Sequence, residues 1–177
     1  MKYVAPLLIV LAGFGLASPA IAQIGIGIGV WGGDDDGFDI FNTPRRQLIE
    51  TGQCPRCHLR HVQLPEANLP YADLTAARLQ EANLSGSNLR NASFRQARME
   101  NINLENADLQ GASFRNADLE DANLQGANMR SVYLAGANLA GANLSGADLS
   151  LVNLETASFC QTTMPDDSIR NDDCESE

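Results

Sequence analysis

The sequence predicts an all-β fold in which the chain winds into a square coil of 20 residues per turn. An apolar residue occurs at every fifth position from Leu59 to Phe159 without a break. Two positions before it the residue is small, mostly alanine, and just before it the residue is mostly asparagine or aspartate. A period of five fits neither a helix nor a flat strand. It fits a chain that turns a corner every five residues and closes a square after four corners.

The apolar residues of this period, here called the centres, are predicted to fill the middle of the coil. Asparagine and aspartate tolerate the backbone angles of the tight turns between them. Residues 20 apart should then stack on adjacent coils, about 4.8 Å apart. Stacked pairs would include Phe94 with Phe114, Arg95 with Arg115, and Arg78 with Arg98, whose like charges Glu100, Asp118 and Glu120 on the same face can balance. The predicted core includes Leu69, Leu74, Leu84, Phe94, Phe114, Leu124, Leu139 and Leu144.

The repeated triplet, as in Ala67-Asn68-Leu69 and Ala147-Asp148-Leu149, resembles the A(D/N)LXX motif of the pentapeptide-repeat family. The resemblance covers residues 57–161. It implies a right-handed quadrilateral parallel β-helix, a solenoid of about five coils. It does not imply one activity, because some members resemble double-stranded DNA and act on DNA gyrase in the cytoplasm, while many exported members have no assigned role.

The first 22 residues have the features of a signal peptide. Lys2 precedes an apolar run of about 13 residues, and Ala20-Ile21-Ala22 supplies the small residues of a cleavage site. That run is too short to span a bilayer comfortably, so no stable membrane span is expected after cleavage. Residues 23–42 are predicted to form a Gly/Asp-rich leader.

Both ends of the coils need caps, because an open end exposes centres and strand edges. Residues 43–56 are predicted to contain a capping helix and the segment leading into the coils. Thr43 is a good N-cap, Pro44 suits the first helical position and Gly52 suits the position past the end, so a helix over 44–51 should present Leu48 and Ile49 to the first coil. Residues 162–177 are predicted to form a C-terminal cap, with a mobile acidic tail from 170.

Four cysteines in an exported chain allow three disulfide connectivities. Their spacing favours Cys160–Cys174, which would close a loop of about 15 residues and add about 3 kcal/mol by the loop-entropy model. Cys54–Cys57 is a second, shorter bridge.

The segment Cys54-Pro55-Arg56-Cys57-His58 is also a literal C-x-x-C-H, the attachment motif of c-type haem. In that alternative His58 would be an axial ligand. The structural interpretation is that Cys57, His58 and Leu59 form the first repeat, in register with the rest. A zinc site that adds His61 to the same three residues would be cramped.

No catalytic constellation is predicted. Asp34-Asp35-Asp36-Gly37 lacks the ligand spacing of a calcium loop and is more typical of a solvated linker. Gly25-Ile26-Gly27-Ile28-Gly29 lacks the spacing of a dinucleotide fingerprint. The histidines lie together beside the cysteines, away from any serine–aspartate pair. Tyr71, Tyr133 and Leu151 are outward-facing candidates for contact points.

Charge and localisation complete the prediction. The whole chain has a net charge of −10 at pH 7, and an acidic chain does not suit binding to nucleic acid. We expect an exported protein, periplasmic or extracellular, or in the thylakoid lumen if the host is photosynthetic. The predicted function is non-catalytic, a rigid scaffold or protein-interaction module without cofactor or metal, whose partner is an unidentified protein. The alternatives are an acidic DNA mimic that modulates gyrase and the haem carrier.

Overall fold

A computed structural model describes residues 43–174, so the predicted signal peptide 1–22, the predicted leader 23–42 and the last three residues lie outside the described range. Its named elements are helix α1 (Pro44–Thr51) and strands β1 (Thr162–Thr163) and β2 (Ile169–Arg170). The rest of the described chain is built from single-residue parallel bridges separated by turns. Within residues 43–174, no helix has the length and apolar character needed to cross a membrane.

Each bridge joins two residues that are 20 apart, so the chain stacks on itself once every four repeats. Phe94 and Phe114 show the stacking directly, because their rings are nearly parallel with centroids 4.9 Å apart. Residues 20 apart therefore lie side by side, which agrees with the predicted period. The bridged residues form four ladders, which we call the first to fourth faces. The first face holds Gln53, Asp73, Ser93, Ser113, Tyr133 and Asn153; the second His58, Arg78, Arg98, Asp118, Asn138 and Ser158; the third Gln63, Asn83, Asn103, Asn123, Asn143 and Thr163; the fourth Asn68, Asn88, Asp108, Asn128 and Asp148.

A tight turn forms every corner. The N–H three residues after a centre usually donates to the carbonyl of that centre, as Ala112 does to Leu109 at 2.9 Å; at the Leu64 corner the Ser87 hydroxyl joins the Ala67 N–H to the Leu64 carbonyl instead. Except at Thr156, the second residue after the centre has a positive φ, which glycine, asparagine and aspartate adopt most easily. At Gly141 (φ 69°) a side chain would also collide with the carboxylate of Asp121 on the preceding coil. Glycine suits this position both because of the positive φ and because it has no side chain.

The core is the column of centres. All eight core residues named from the sequence are buried. Of the 21 centres from Leu59 to Phe159, only Leu149 and Leu154 are partly exposed. The coils begin one repeat earlier than position 57, because the Gln53–Asp73 bridge makes fully buried Cys54 the first centre. The sequence hid this because cysteine occupies a position that elsewhere holds Leu, Phe or Met.

Helix α1 covers the first coil. Thr43 Oγ1 accepts a hydrogen bond from the Arg46 N–H, and Gly52 ends the helix in a left-handed conformation with its N–H on the Leu48 carbonyl. Leu48 is fully buried against the core. The expectation that Ile49 also packs there is wrong, because its place on the helix leaves the side chain 46% exposed.

The C-terminal cap is a short antiparallel pair, β1 with β2. The Asp173 N–H donates to the Phe159 carbonyl, and the Phe159 N–H donates to the Asp173 carboxylate, both at 2.9 Å. The Arg170 guanidinium lies over the Phe159 ring, 3.9 Å from its centroid. Within the tail predicted from residue 170, these contacts and the Cys160–Cys174 disulfide join residues 170, 173 and 174 to the cap and the last coil. The Sγ atoms of Cys160 and Cys174 lie 2.08 Å apart.

Candidate functional site

The C-x-x-C-H segment has a structural role. Cys54 and Cys57 are bonded to each other, with their Sγ atoms 1.99 Å apart. Neither sulfur is then available for a thioether to haem or as a thiolate ligand for zinc. Cys54 is in addition fully buried as the first centre.

The histidines stand on the second face and the corner beside it. His58 is bridged to Arg78 on the next coil, and Nδ1 of His61 lies 3.4 Å from the Glu81 carboxylate. Among residues 43–174, no three or more His, Cys, Asp or Glu side chains are grouped to hold a metal ion. The geometry thus assigns these residues to the coil surface.

The third and fourth faces are lined mainly by amides that bond from coil to coil. Asn123 donates to the side-chain oxygen of Asn103 at 3.2 Å on the third face, and Asn88 donates to Asn68 at 2.8 Å on the fourth. Many of these side chains also accept the N–H two residues on, as Asn143 does from Ser145 at 3.0 Å. Because these polar groups are already paired within the chain, these faces offer a partner few unsatisfied groups.

The second face carries the arginine stack predicted from the sequence. Arg78 and Arg98 are bridged neighbours, and Glu100 accepts from the Arg98 guanidinium at 2.8 Å. Burial alone would raise the pKa of Glu100, but its own backbone N–H and Arg98 hold the pKa below the usual value. Asp118 follows Arg98 in the ladder, so a negative charge comes directly after the two positive ones along this face.

The first face also stacks two arginines, but here neither of the two is paired with a carboxylate within residues 43–174. Arg95 and Arg115 are exposed, occupy the same turn position on adjacent coils, and are joined through the Gln96 N–H to the Arg115 carbonyl at 2.9 Å. Neither has a carboxylate within 4.0 Å among the described residues. The acid closest in the ladder, Asp73, is turned to accept the Thr75 N–H at 3.0 Å. Glu155 is exposed at the same turn position two coils beyond Arg115 and forms no ion pair with either arginine.

An apolar group follows the two arginines along the same face. Tyr133 is 53% exposed and Leu151 is 76% exposed, and both line one groove of about 470 Å³. Arg115 belongs to the same groove, with its guanidinium 5.3 Å from the centroid of the Tyr133 ring. A second groove of about 290 Å³ lies beside it and is lined by Asp73, Thr75, Ser93 and Arg95.

A backbone irregularity accounts for the larger groove. The second residue after each centre from residue 56 to residue 161 has a positive φ, with the single exception of Thr156. The Gly136 N–H consequently bonds to the carbonyl 20 residues on, Thr156, where the equivalent corners bond 19 residues on. Thr156 is the only β-branched residue at this position, and such residues resist a left-handed backbone. The last coil is loosened from the first face beside Tyr133 and Asn153.

Most of these residues can be identified from the sequence, but their grouping cannot. The repeat predicts Tyr133 and Leu151 as outward contact points and Arg95 with Arg115 as a stacked pair. It groups Leu151 with Tyr71, which lies at the same corner four coils away, and misses the groove that unites Leu151 with Tyr133 and Arg115. The signal that would have found the groove is Thr156, a β-branched residue at a position otherwise free of them.

Comparison with known proteins agrees with this architecture. The family model described as pentapeptide repeats matches the chain with eight copies, over residues 57–96, 87–126, 97–134 and 127–164. No curated protein matches the chain.

Three solved structures illustrate the similarity. The pentapeptide repeat protein Rfr23 from the cyanobacterium Cyanothece 51142 is 30% identical, with a TM-score of 0.64, over 69% of this chain and 95% of that one. A pentapeptide repeat protein from the Arabidopsis thaliana thylakoid lumen is also 30% identical, with a TM-score of 0.45, over 68% of this chain and 74% of that one. The plasmid-mediated fluoroquinolone resistance protein QnrB1 is 20% identical, with a TM-score of 0.30, over 63% of this chain and 70% of that one.

Proposed function

The chain belongs to the pentapeptide-repeat family, and we propose that it is an exported, non-catalytic module that binds a partner protein on its stacked faces. The observation that carries the proposal is the contrast between a core filled along its whole length and an exposed face with unbalanced arginines and a loosened last coil. A filled solenoid has no deep pocket for a substrate, whereas its faces are rigid and presented outward. A right-handed, quadrilateral winding is the fold detail that we carry over from the family.

Export is the second part of the proposal. Both cysteine pairs lie at bonding distance, and disulfides persist in oxidising compartments such as the periplasm or the lumen of an organelle. The signal-peptide features of residues 1–22 point to the same compartments.

Export is tested by comparing the full chain with a chain that lacks residues 2–22. The full chain is expected in the exported fraction with no thiol open to alkylation after denaturation. The shortened chain is expected in the cytoplasm with four reactive thiols. A full chain found in the cytoplasm with reduced cysteines would contradict export.

Partner binding is tested with a photo-crosslinking residue at one position on each face: Ser113, Asn138, Asn123 and Asn128 in turn. The exported full-length protein is expected to form a discrete protein adduct from at least one face. The same variants unfolded in urea are the control and should give none. Absence of adducts from all four faces would refute an interaction module.

The DNA-mimic alternative is less well supported. Residues 43–174 hold 11 arginines and 16 acids, a net charge of −5, because Lys2 and six of the 22 acids lie outside that range. Arginines interrupt the acids on the first, second and fourth faces, so no face of the described coils presents a continuous row of negative charge like the DNA backbone. The likeness to QnrB1 is a likeness of fold alone.

A further inference from the structure

We propose that the first face binds an extended acidic segment of a partner protein that carries one apolar residue beyond its acids. The inference deepens the proposed function, on which it rests, by naming the surface and the chemistry of the partner. We call the surface formed by Arg95, Arg115, Tyr133 and Leu151 the arginine–tyrosine row.

The arginine–tyrosine row favours a negative partner. Two like charges on adjacent coils repel each other, and no carboxylate within 4.0 Å offsets them among residues 43–174. Guanidinium groups bind carboxylates through paired, charge-assisted hydrogen bonds. An acidic segment would relieve the repulsion, while a basic one would increase it.

The charges on the other faces make an acidic ligand prefer the first face. On the second face Arg98 is already paired with Glu100, and on the fourth Arg90 is 3.0 Å from Asp108. Arg78 and Arg130 on those faces have no carboxylate within 4.0 Å either among residues 43–174, but neither is stacked on a second unpaired arginine, so an acidic ligand gains most from the first face. The electrostatic potential of the protein would therefore direct an acidic ligand to the arginine–tyrosine row.

The apolar end of the row determines which residue type the ligand needs beyond its acids. Tyr133 and Leu151 lie on the next two coils and are both exposed, and they line the groove that the corner at Thr156 opens. An aromatic or aliphatic side chain placed there would bury apolar surface against both residues. The Arg115 guanidinium over the Tyr133 ring places the anionic and the apolar contacts side by side.

The length of the row sets the spacing of the ligand's side chains. Coils repeat every 4.8 Å or so, so the row spans about 14 Å along the stack from Arg95 to Leu151, which lies at the opposite corner of the first face. An extended peptide advances about 3.3 Å per residue and points alternate side chains to one side. Five residues with acids at the first and third positions and an apolar residue at the fifth match the row.

The experiment measures binding of a fluorescent Glu-Ser-Glu-Ser-Phe peptide to the oxidised protein by anisotropy at low salt. Arg115→Gln is expected to weaken binding about fivefold, and Arg95→Gln with Arg115→Gln by at least about thirtyfold. Leu151→Ser should weaken binding about threefold. The matched control, Arg90→Gln with Arg130→Gln, removes the same charge from the same turn position on the fourth face and should leave the affinity unchanged.

Four results would overturn the assignment. These are no binding of the acidic peptide, equal loss in the first-face and fourth-face double variants, equal binding of a Lys-Ser-Lys-Ser-Phe peptide, and a protein dimer in sedimentation that Leu151→Ser dissolves, since a second copy would then occupy the row. If one of these results is found while crosslinked adducts still form from other faces of the Arg95→Gln, Arg115→Gln variant, this site is wrong but the proposed interaction module stands.

Discussion

The two ends of the coil stack are closed by different means. At the N-terminal end, α1 brings one fully buried leucine, Leu48, against the first coil, whose first centre, Cys54, is also fully buried. At the C-terminal end, β1 and β2 are tied down by Cys160–Cys174 and by Arg170 over Phe159, yet Leu149 and Leu154 remain partly exposed. Both ends carry a disulfide, Cys54–Cys57 at the first and Cys160–Cys174 at the second, but packing seals only the first, because the second keeps two partly exposed centres.

This contrast indicates where the molecule is tightly closed and where it can be open. A buried apolar plug adds stability in proportion to the surface it removes from water. A disulfide mainly restricts the unfolded chain and does not need to cover the end it secures. The C-terminal end therefore keeps its last coil attached while leaving the first face loosened there, beside Tyr133 and Leu151.

The largest expected effect is a difference in unfolding free energy between leucine substitutions at the two ends. Leu48→Ala should lower the free energy of unfolding by about 3 kcal/mol, because it leaves a cavity under α1. Leu154→Ala should cost about 1 kcal/mol, because that side chain is partly exposed already. Urea unfolding of both oxidised variants measures the contrast. Equal losses would show that the C-terminal end is as well sealed as the N-terminal one.

A smaller change concerns the loosened corner. Thr156→Asn should restore the left-handed turn and tighten the ladder beside Tyr133, stabilising the protein by about 1 kcal/mol. The Leu134 amide should exchange with solvent more slowly in that variant. Ser131→Asn, at a corner that already has a positive φ, is the control and should change neither quantity. Unchanged exchange at Leu134 would mean that the loosening of the coil does not come from Thr156.

The smallest expected effect is on the pH dependence of stability, and it compares the mostly buried Glu100 with the exposed Glu120. Glu100 is only 19% exposed and its pKa lies below the usual value in the folded protein, so its stabilising contribution is present at neutral pH and is lost as the pH falls below about 4.5. Glu100→Gln should therefore reduce the fall in Tm between pH 6 and pH 3. Glu120→Gln, at the same turn position of the next coil, should leave that fall unchanged. A steeper fall in the Glu100 variant would contradict the assigned direction.

Much of the fold could be predicted because the repeat is a physical period. A centre at every fifth residue and four centres per turn together predict that residues 20 apart lie in contact. Phe94 and Phe114 are such a pair, and their rings are stacked. The helix over 44–51 could be predicted from Thr43, Pro44 and Gly52, since capping is local chemistry.

The candidate site was less accessible because it depends on exceptions to the period. The arginine–tyrosine row joins residues from four coils, and its groove depends on one corner that breaks the rule. The exposure of Ile49 and the contacts of residues 170–174 could not be predicted for a related reason, because the caps follow tertiary packing and carry no repeat.

The 20-residue turn also limits how this gene can change in length. Inserting or deleting a whole turn would leave every later side chain on its former face. Adding a single repeat between Asn116 and Ser131 would instead rotate everything after it by one quarter, carrying Tyr133 and Leu151 away from Arg115. Length variants that preserve the surface are therefore restricted to multiples of four repeats, however freely the individual repeats tolerate substitution.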